Sequence, residues 1–319
     1  MRNNNTVSIV VPVFNEHGNI GVLAKAIDRV FANLPYAYTL LFVDDGSTDG
    51  SINTIKLLAE YNPSIQYISL SRNFGHQQAL KAGIDKAEGD CIICMDGDMQ
   101  HPPTLIPQML EQWENGYDIV YTTRQEDESL PFIKRATSKM FYRVINMLSD
   151  ITLEAGSSDF RLIGKNVANV IRDLKEGDLF IRGMVKWVGF RQTSITYRPS
   201  KRFNGTSKYS LKKMMALALQ GITSFSTRPL YIAAYLGFIF SALSVLYAPY
   251  VIISYAYGHP ISGWASVIVT IAFFGGLQLM ILGIIGVYLG KLFMQSKQRP
   301  FYIIKEENIT CSQQESVSF

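Results

Sequence analysis

Short apolar runs at residues 7–13, 39–43, 65–70, 91–95 and 119–123 alternate with segments at 19–32, 51–61, 76–87 and 104–115 whose apolar positions recur at helical spacing. The runs are rich in β-branched residues and read as strands, several of them buried on both faces. Strand–helix alternation of this kind predicts an α/β fold with a mostly parallel sheet covered by helices on each side. Further along, no Asp, Glu, Lys or Arg occurs between Arg228 and Lys291. A bilayer crossing needs about 20 apolar residues, and segments 229–257 and 265–292 each supply that length. The link between them, 258–264, carries Gly, Pro and Ser for a turn and Trp264 for the membrane–water interface.

Charge gives the hairpin a direction. Lys201, Arg202, Lys208, Lys212, Lys213 and Arg228 precede the uncharged stretch, and Lys291, Lys297, Arg299 and Lys305 follow it. Positive residues stay on the cytoplasmic side, so both flanks are expected there, joined by two transmembrane helices. The chain then divides into a cytosolic α/β domain at 1–200, a juxtamembrane amphipathic segment at 201–228, two spans at 229–292 and a cytosolic tail at 293–319. The tail from Glu306 onward is polar and expected to be mobile. Basic amphipathic patterns at 132–148 and 207–222 suit helices resting at the headgroup boundary, with docking on the α/β domain the alternative for the first. Gly275, Gly276, Gly283 and Gly286 would let helices approach closely and support a homo-oligomer.

The remaining bulk properties exclude more than they assign. A net charge of +4, gathered near the membrane borders, suits anionic lipid rather than nucleic acid. Three cysteines make no disulfide framework. Cys91 and Cys94 fall in an apolar run, where residues three apart point to opposite faces of a strand, so both are expected in the core. The N-terminus leads into too few apolar residues for a secretory signal, so the bulk of the chain is expected in the cytosol.

In sheets of this class ligands bind beyond the carboxyl ends of the strands, and polar clusters lie there. They are Pro12-Val13-Phe14-Asn15-Glu16, Asp44-Asp45-Gly46-Ser47, Ser71-Arg72-Asn73-Phe74-Gly75 and Asp96-Gly97-Asp98-Met99-Gln100. Neither a P-loop nor a G-x-G-x-x-G follows a strand, which disfavours those two phosphate cradles. The sheet presents acids instead, and acids at a phosphate site imply a divalent cation between them. Asp96 and Asp98, two apart at a strand end, are expected to leave one face, with Gln100 continuing the alternation. Their oxygens suit Mg²⁺ or Mn²⁺, completed by substrate phosphate and water. Such a cation would neutralise a departing diphosphate. His17, His76, His101 and His259 show no spacing that demands a metal and are expected in turns or on the surface.

Together with Val43-Asp-Asp-Gly-Ser-Thr-Asp49, Asn73-Phe-Gly75 and Asp96-Gly-Asp-Met-Gln-His-Pro-Pro103, the first cluster resembles the inverting, GT-A-fold glycosyltransferases of family 2. Ser158-Asp-Phe-Arg-Leu162, Arg202-Phe-Asn-Gly-Thr-Ser-Lys-Tyr209 and two carboxy-terminal spans narrow the likeness. The chain is similar to polyisoprenyl-phosphate glycosyltransferases, including the GtrB-type glucosyltransferases and dolichyl-phosphate mannose synthases. Gly97 departs from many of these relatives, which carry Ala or Val between the two acids.

The resemblance implies a Rossmann-like GT-A domain followed by a transmembrane hairpin. It implies that Pro12, Phe14 and Glu16 frame the nucleoside, with Asp45 reaching the base and Val43 offering backbone contact. Asp96, Asp98 and Gln100 would hold the metal on the diphosphate, with Gly97 packed near the sugar. Arg124, Arg202 and Lys208 would contact phosphate, and Arg135, Arg161 and Ser207 join the substrate-binding set. Asp159, with Asp98 and Arg124, completes the catalytic set. A lipid monophosphate is already largely dianionic, with a second pKa of about 6, and needs little help from a base. Asp159 is therefore expected to position acceptor or sugar, or to remove a residual proton; an ion pair with Arg161 is the structural alternative.

The implied reaction moves one sugar, glucose from UDP-glucose as first choice, from a nucleotide donor to a polyprenyl phosphate such as undecaprenyl phosphate. It would occur on the cytoplasmic face of a bacterial inner membrane. Mannose, GlcNAc or an aminoarabinose-type sugar are the alternatives for the same lipid. A processive polysaccharide synthase is disfavoured by the absence of Q-x-x-R-W. A flippase component is disfavoured by the lack of intramembrane charge.

Overall fold

The computed structural model describes residues 5–125, 146–147, 156–176, 179–198, 223, 226–257 and 263–309. The basic segment containing Arg135, most of the amphipathic pattern at 132–148, all of 207–222, Arg202, Ser207, Lys208 and the interhelical link at 258–262 lie outside these residues.

The five expected strands are β1 (Thr6–Val13), β2 (Ala37–Asp44), β3 (Ile65–Leu70), β4 (Cys91–Cys94) and β5 (Ile119–Arg124). The helices between them are α1 (His17–Phe31), α2 (Ser51–Tyr61), α3 (His76–Lys86) and α4 (Ile106–Glu114). Three more strands follow: β6 (Ser157–Gly164), β7 (Gln192–Tyr197) and β8 (Ile304–Glu307). Helices α5 (Lys165–Asp173) and α6 (Ile181–Trp187) lie between β6 and β7.

All eight strands form one sheet in the order β7-β5-β6-β4-β1-β2-β3-β8. The sheet is mixed but mostly parallel, as expected: β1 to β5 and β7 run one way, and β6 and β8 oppose them. β1 pairs in parallel with β2 and β4, but β6 inserts antiparallel between β4 and β5, and β8 runs antiparallel on β3. The reversal of β6 has a functional consequence. Its first residues come to the edge where β1, β4 and β5 end, so Ser158 and Asp159 reach the ligand side of the sheet.

Two apolar layers cover the sheet. Alternate residues of β1 (Val7, Ile9, Val11, Val13) pack with α1, Ile55 of α2 and α4. Val10 faces the other way, toward α3, α5 and α6. Cys91 belongs to the first layer and Cys94 to the second, as strand geometry requires, and both are free. Gly83 lets α3 lie close to β1, because a Cβ there would sit 2.2 Å from Val10 Cγ1.

After the sheet domain come α7 (Arg228–Ala256) and α8 (Trp264–Ser296), at the two positions where the uncharged stretch predicts helices. They touch through Phe240, whose ring lies 5.8 Å from Phe273 and 5.6 Å from Phe274, centroid to centroid. Among the described residues, Val267–Ser296 is long and apolar enough to cross a membrane, with a mean hydropathy of 2.3. None of its most apolar window is buried. Arg228–Leu243 is a shorter apolar stretch.

Candidate active site

The turn after β4 carries the acids. The strand ends at Cys94, so Asp96, Asp98 and Gln100 do not share a strand face as the alternation suggested. They converge instead because the chain turns back on itself. Met99 adopts φ 63°, and Asp98 Oδ1 accepts the Gln100 N–H at 3.1 Å. A non-glycine residue at positive φ is costly, and here it aims three oxygen-bearing side chains into one space. Gly97 fits closely under the turn: a Cβ would lie 3.0 Å from Val13 Cγ1.

That space is a cavity of about 590 Å³ at the carboxyl ends of the central strands. Of the residues expected from sequence, Pro12, Phe14, Glu16, Asp96, Gly97, Asp98, Gln100, Arg124 and Asp159 line it. His76, Gln77, Phe180 and Arg182 complete the wall. Val43 and Asp45 are buried and do not line it. Asp45 uses both carboxylate oxygens on backbone, accepting the Phe74 N–H at 2.7 Å and the Gly75 N–H at 3.0 Å. Burial raises its pKa, and those two hydrogen bonds oppose the rise. It shapes the loop beside the cavity.

Asp159 sits in the back wall, 4% exposed, with a guanidinium on each side. Arg182, at the start of α6, donates to both of its oxygens at 2.7 and 2.6 Å. Arg161, 2% exposed and two residues along β6, donates to Oδ1 at 3.2 Å. The Asp159–Arg161 ion pair is therefore present, reinforced by a second, shorter pair. Burial alone would raise the Asp159 pKa, but the charge and hydrogen bonds of Arg182, aided by His76 and Arg161, hold it well below 3.8. A carboxylate so stabilised is a weak base.

His76, exposed at the start of α3, and His101, in the turn after β4, lie where surface and turn residues were expected, and both contact residues of the site. His76 Nε2 lies 3.4 Å from Asp96 Oδ1 and 3.5 Å from Asp159 Oδ2. Dehydration in the cavity wall works against its charge, but the hydrogen bond to Asp159 and the negative charges of Asp96 and Asp159 lift its pKa from 6.5 to about 9. His101 is fully buried, stacked on Phe160 at 5.2 Å. Its Nδ1 accepts the Asp96 N–H at 2.9 Å, so a neutral ring carries its proton on Nε2, 2.7 Å from Ser158 Oγ. Burial lowers its pKa and keeps it neutral. The chain of contacts continues from Ser158 to the Tyr197 hydroxyl (3.3 Å) and on to Arg124 Nε (3.3 Å), whose other end approaches Gln100 Oε1 (3.5 Å). This ring fixes the acidic turn and Arg124 with respect to each other.

A divalent cation fits the acidic turn. Asp96 Oδ1 is buried and makes no hydrogen bond among the described residues, only the 3.4 Å charge contact with His76, and carboxylates with an amide carbonyl form the hard oxygen set such ions take. Ligand atoms of His76, Asp96 and Asp159 also lie within 4.8 Å of one another. That trio is the poorer choice, because Asp159 is committed to two guanidinium groups.

A mixed α/β sheet with an acidic turn and guanidinium groups in one cavity at its strand ends has the frame of a GT-A glycosyltransferase domain. Residues 8–171 match Glycosyl transferase family 2, and the chain belongs to that family. It is 41% identical over 300 residues to the uncharacterized glycosyltransferase YkcC of Bacillus subtilis (strain 168), covering 94% of this chain and 93% of that protein. It is 40% identical over 303 residues to the bactoprenol glucosyl transferase of Shigella phage SfV, covering 94% and 98%. Among solved structures, mannosyl-3-phosphoglycerate synthase from Rubrobacter xylanophilus aligns over 69% of this chain and 72% of its own, with 15% identity and a TM-score of 0.49.

Proposed function

We propose that this enzyme transfers a single glucose, with inversion, from UDP-glucose to a membrane polyprenyl phosphate such as undecaprenyl phosphate. The observation that carries the reading is the cavity with two opposed chemistries. The acids Asp96 and Asp98 and the basic residues Arg124 and Arg182 line the same cavity. Two phosphate-bearing substrates are suited to such a wall, one through a metal and one through arginine forks. The bactoprenol glucosyl transferases among the relatives support glucose and a polyprenyl carrier. The exposed apolar surface of α7 and α8 supports a membrane hairpin, and the basic residues bordering it support cytoplasmic flanks.

Asp96, Asp98 and Gln100 would hold Mg²⁺ or Mn²⁺. When bound, the ion neutralises charge on the leaving diphosphate. Pro12, Phe14 and Glu16 frame the nucleoside, and Arg124, held by Tyr197, faces phosphate. Arg182, fixed by Asp159, is placed to orient the acceptor phosphate, whose own oxygen attacks the anomeric carbon opposite the leaving group. Asp159 thus acts as a positioning residue. Its depressed pKa argues against the proton-removing role, and an already ionised acceptor makes that role unnecessary.

The test is transfer of radiolabel from UDP-glucose, and from a panel of UDP- and GDP-sugars, by the purified full chain to polyprenyl phosphate. Label in organic-extractable, acid-labile lipid is expected with UDP-glucose. Label arriving only from another sugar nucleotide sinks the glucose assignment. No lipid label from any donor sinks the reaction.

A further inference from the structure

The chain returns to its catalytic domain after the membrane helices. β8 adds to the free edge of β3, pairing Leu70 with Ile304, Ser69 with Glu306 and Ile68 with Glu307. Main-chain bonds extend the seam at both ends: Ser71 N–H donates to Ile303 C=O at 2.9 Å, and Asn308 N–H donates to Tyr67 C=O at 3.2 Å. Side chains lock it. Lys56 of α2 meets Glu306 at 2.8 Å, and Lys86 of α3 meets Glu307 at 2.9 Å. The Tyr302 hydroxyl donates to Asp85 Oδ2 at 2.9 Å. Asp85 in turn pairs with Lys81, which is 2% exposed. A buried lysine is rare without a partner, and this one helps fix the acid that receives Tyr302. None of these residues touches the cavity, and the reaction gives them no task.

The connection from α8 to this strand is short and stiff. It comprises residues 297–303, between Ser296 and Ile304, and spans no more than about 28 Å when fully extended. It is also turned: Gln298 holds φ 47°, and Lys297 lies over the Phe293 ring at 4.3 Å. Pro300 follows, with its backbone φ fixed by its ring. At the far end, Ser71 opens the loop whose Phe74 and Gly75 N–H groups are held by Asp45 beside the cavity. A continuous structured path therefore runs from α8 through β8 to the cavity loop.

We infer that β8 is a positioning strap, setting the height and tilt of the cavity over the membrane so that an acceptor phosphate at the bilayer surface reaches the donor. The inference rests on the reading of α8 as a membrane span. Completing the edge of β3 is the structural role the strand has in any case, and the strap predicts something that role does not. Lengthening the connection while leaving β8 docked should impair transfer to an acceptor embedded in a membrane and spare transfer to one free in water.

The experiment inserts about a dozen Gly/Ser residues, a flexible spacer, between Arg299 and Pro300 of the full chain. Transfer is compared on undecaprenyl phosphate in vesicles and on a short, water-soluble prenyl phosphate. Vesicle transfer is expected to fall about tenfold or more, as a lost tether lowers effective concentration. Soluble transfer should stay within about twofold, since the cavity is untouched. A second variant, Tyr302→Phe/Glu306→Lys/Glu307→Lys, should show the same split, with vesicle transfer partly restored by adding Lys56→Glu and Lys86→Glu. Wild-type vesicle transfer by the insertion variant, or equal loss on both acceptors, overturns the strap. Alkaline carbonate extraction separates the two claims. A chain released from vesicles overturns the membrane reading and the strap together, whereas a retained chain with unaffected transfer overturns the strap alone.

Discussion

Replacing Asp159 by Asn tests the back wall of the site most directly. The carboxylate is 4% exposed and accepts from Arg182 at 2.6 and 2.7 Å and from Arg161 at 3.2 Å. An amide keeps one acceptor, but it turns an N–H₂ toward a guanidinium and leaves Arg161 charged and buried. Removing one partner of a buried ion pair costs about 3–5 kcal/mol. For a domain of this size each kcal/mol lowers Tm by about 2–4 °C, so a fall of about 6–20 °C is expected. Arg182→Gln removes the more solvent-accessible partner and should cost about 1.5–3 kcal/mol, the worth of hydrogen bonds to a charged group. Tryptophan fluorescence on heating the detergent-solubilised chain, with both single variants and the double, yields the coupling. pH supplies a second check. Because the folded carboxyl is held below its usual 3.8, its stabilisation is complete above the ordinary carboxylate range and is lost as pH falls through the lower folded value. The gap between wild type and Asp159→Asn should be widest at about pH 5 to 6, narrow above 6.5 as His76, lifted to about 9 with the help of Asp159, approaches loss of its proton, and close below about pH 4. A Tm change under about 2 °C with no coupling to Arg182, against the ~2–4 °C per kcal/mol scale, would refute the clamp.

Chelation should abolish transfer, with Mg²⁺ or Mn²⁺ restoring it, and Asp96→Ala or Asp98→Ala should lower turnover about 10²-fold or more; turnover in a chelator at the normal rate rules the metal out. His101→Phe keeps the stacking on Phe160 but removes the acceptor for the Asp96 N–H. The metal concentration needed for half-maximal rate should rise about 10- to 100-fold, and an unchanged metal titration counts against the ring of contacts around the acidic turn. Gly83→Ala drives a Cβ to 2.2 Å from Val10 Cγ1 and 3.1 Å from Val43 Cγ2. That overpacking should cost about 1–3 kcal/mol, read as a lower Tm with the metal requirement intact.

The sequence determined what local pattern can determine. The strands β1 to β5 and the helices between them follow from β-branched runs and helical periodicity, which a stretch carries within itself. The polar clusters after each strand marked the ligand edge, because sheets of this class bind ligands there. The uncharged stretch marked two helices for the same reason. What the chain does not advertise locally is pairing between distant segments. The pattern at 158–162 marked Asp159 by resemblance, but only the antiparallel insertion of β6 between β4 and β5 explains how that residue reaches the cavity. Arg182 reads as one cation in a mostly apolar helix, and nothing in its neighbours names an acid 23 residues earlier as its partner. His76 and His101 carried no spacing signal because their partners, Asp159 and Ser158, come from another strand. β8 is four residues of mixed polarity whose strand character exists only against the edge of β3. Periodicity is a property of one segment, and the chemistry of this site belongs to contacts between segments, which only the folded sheet brings together.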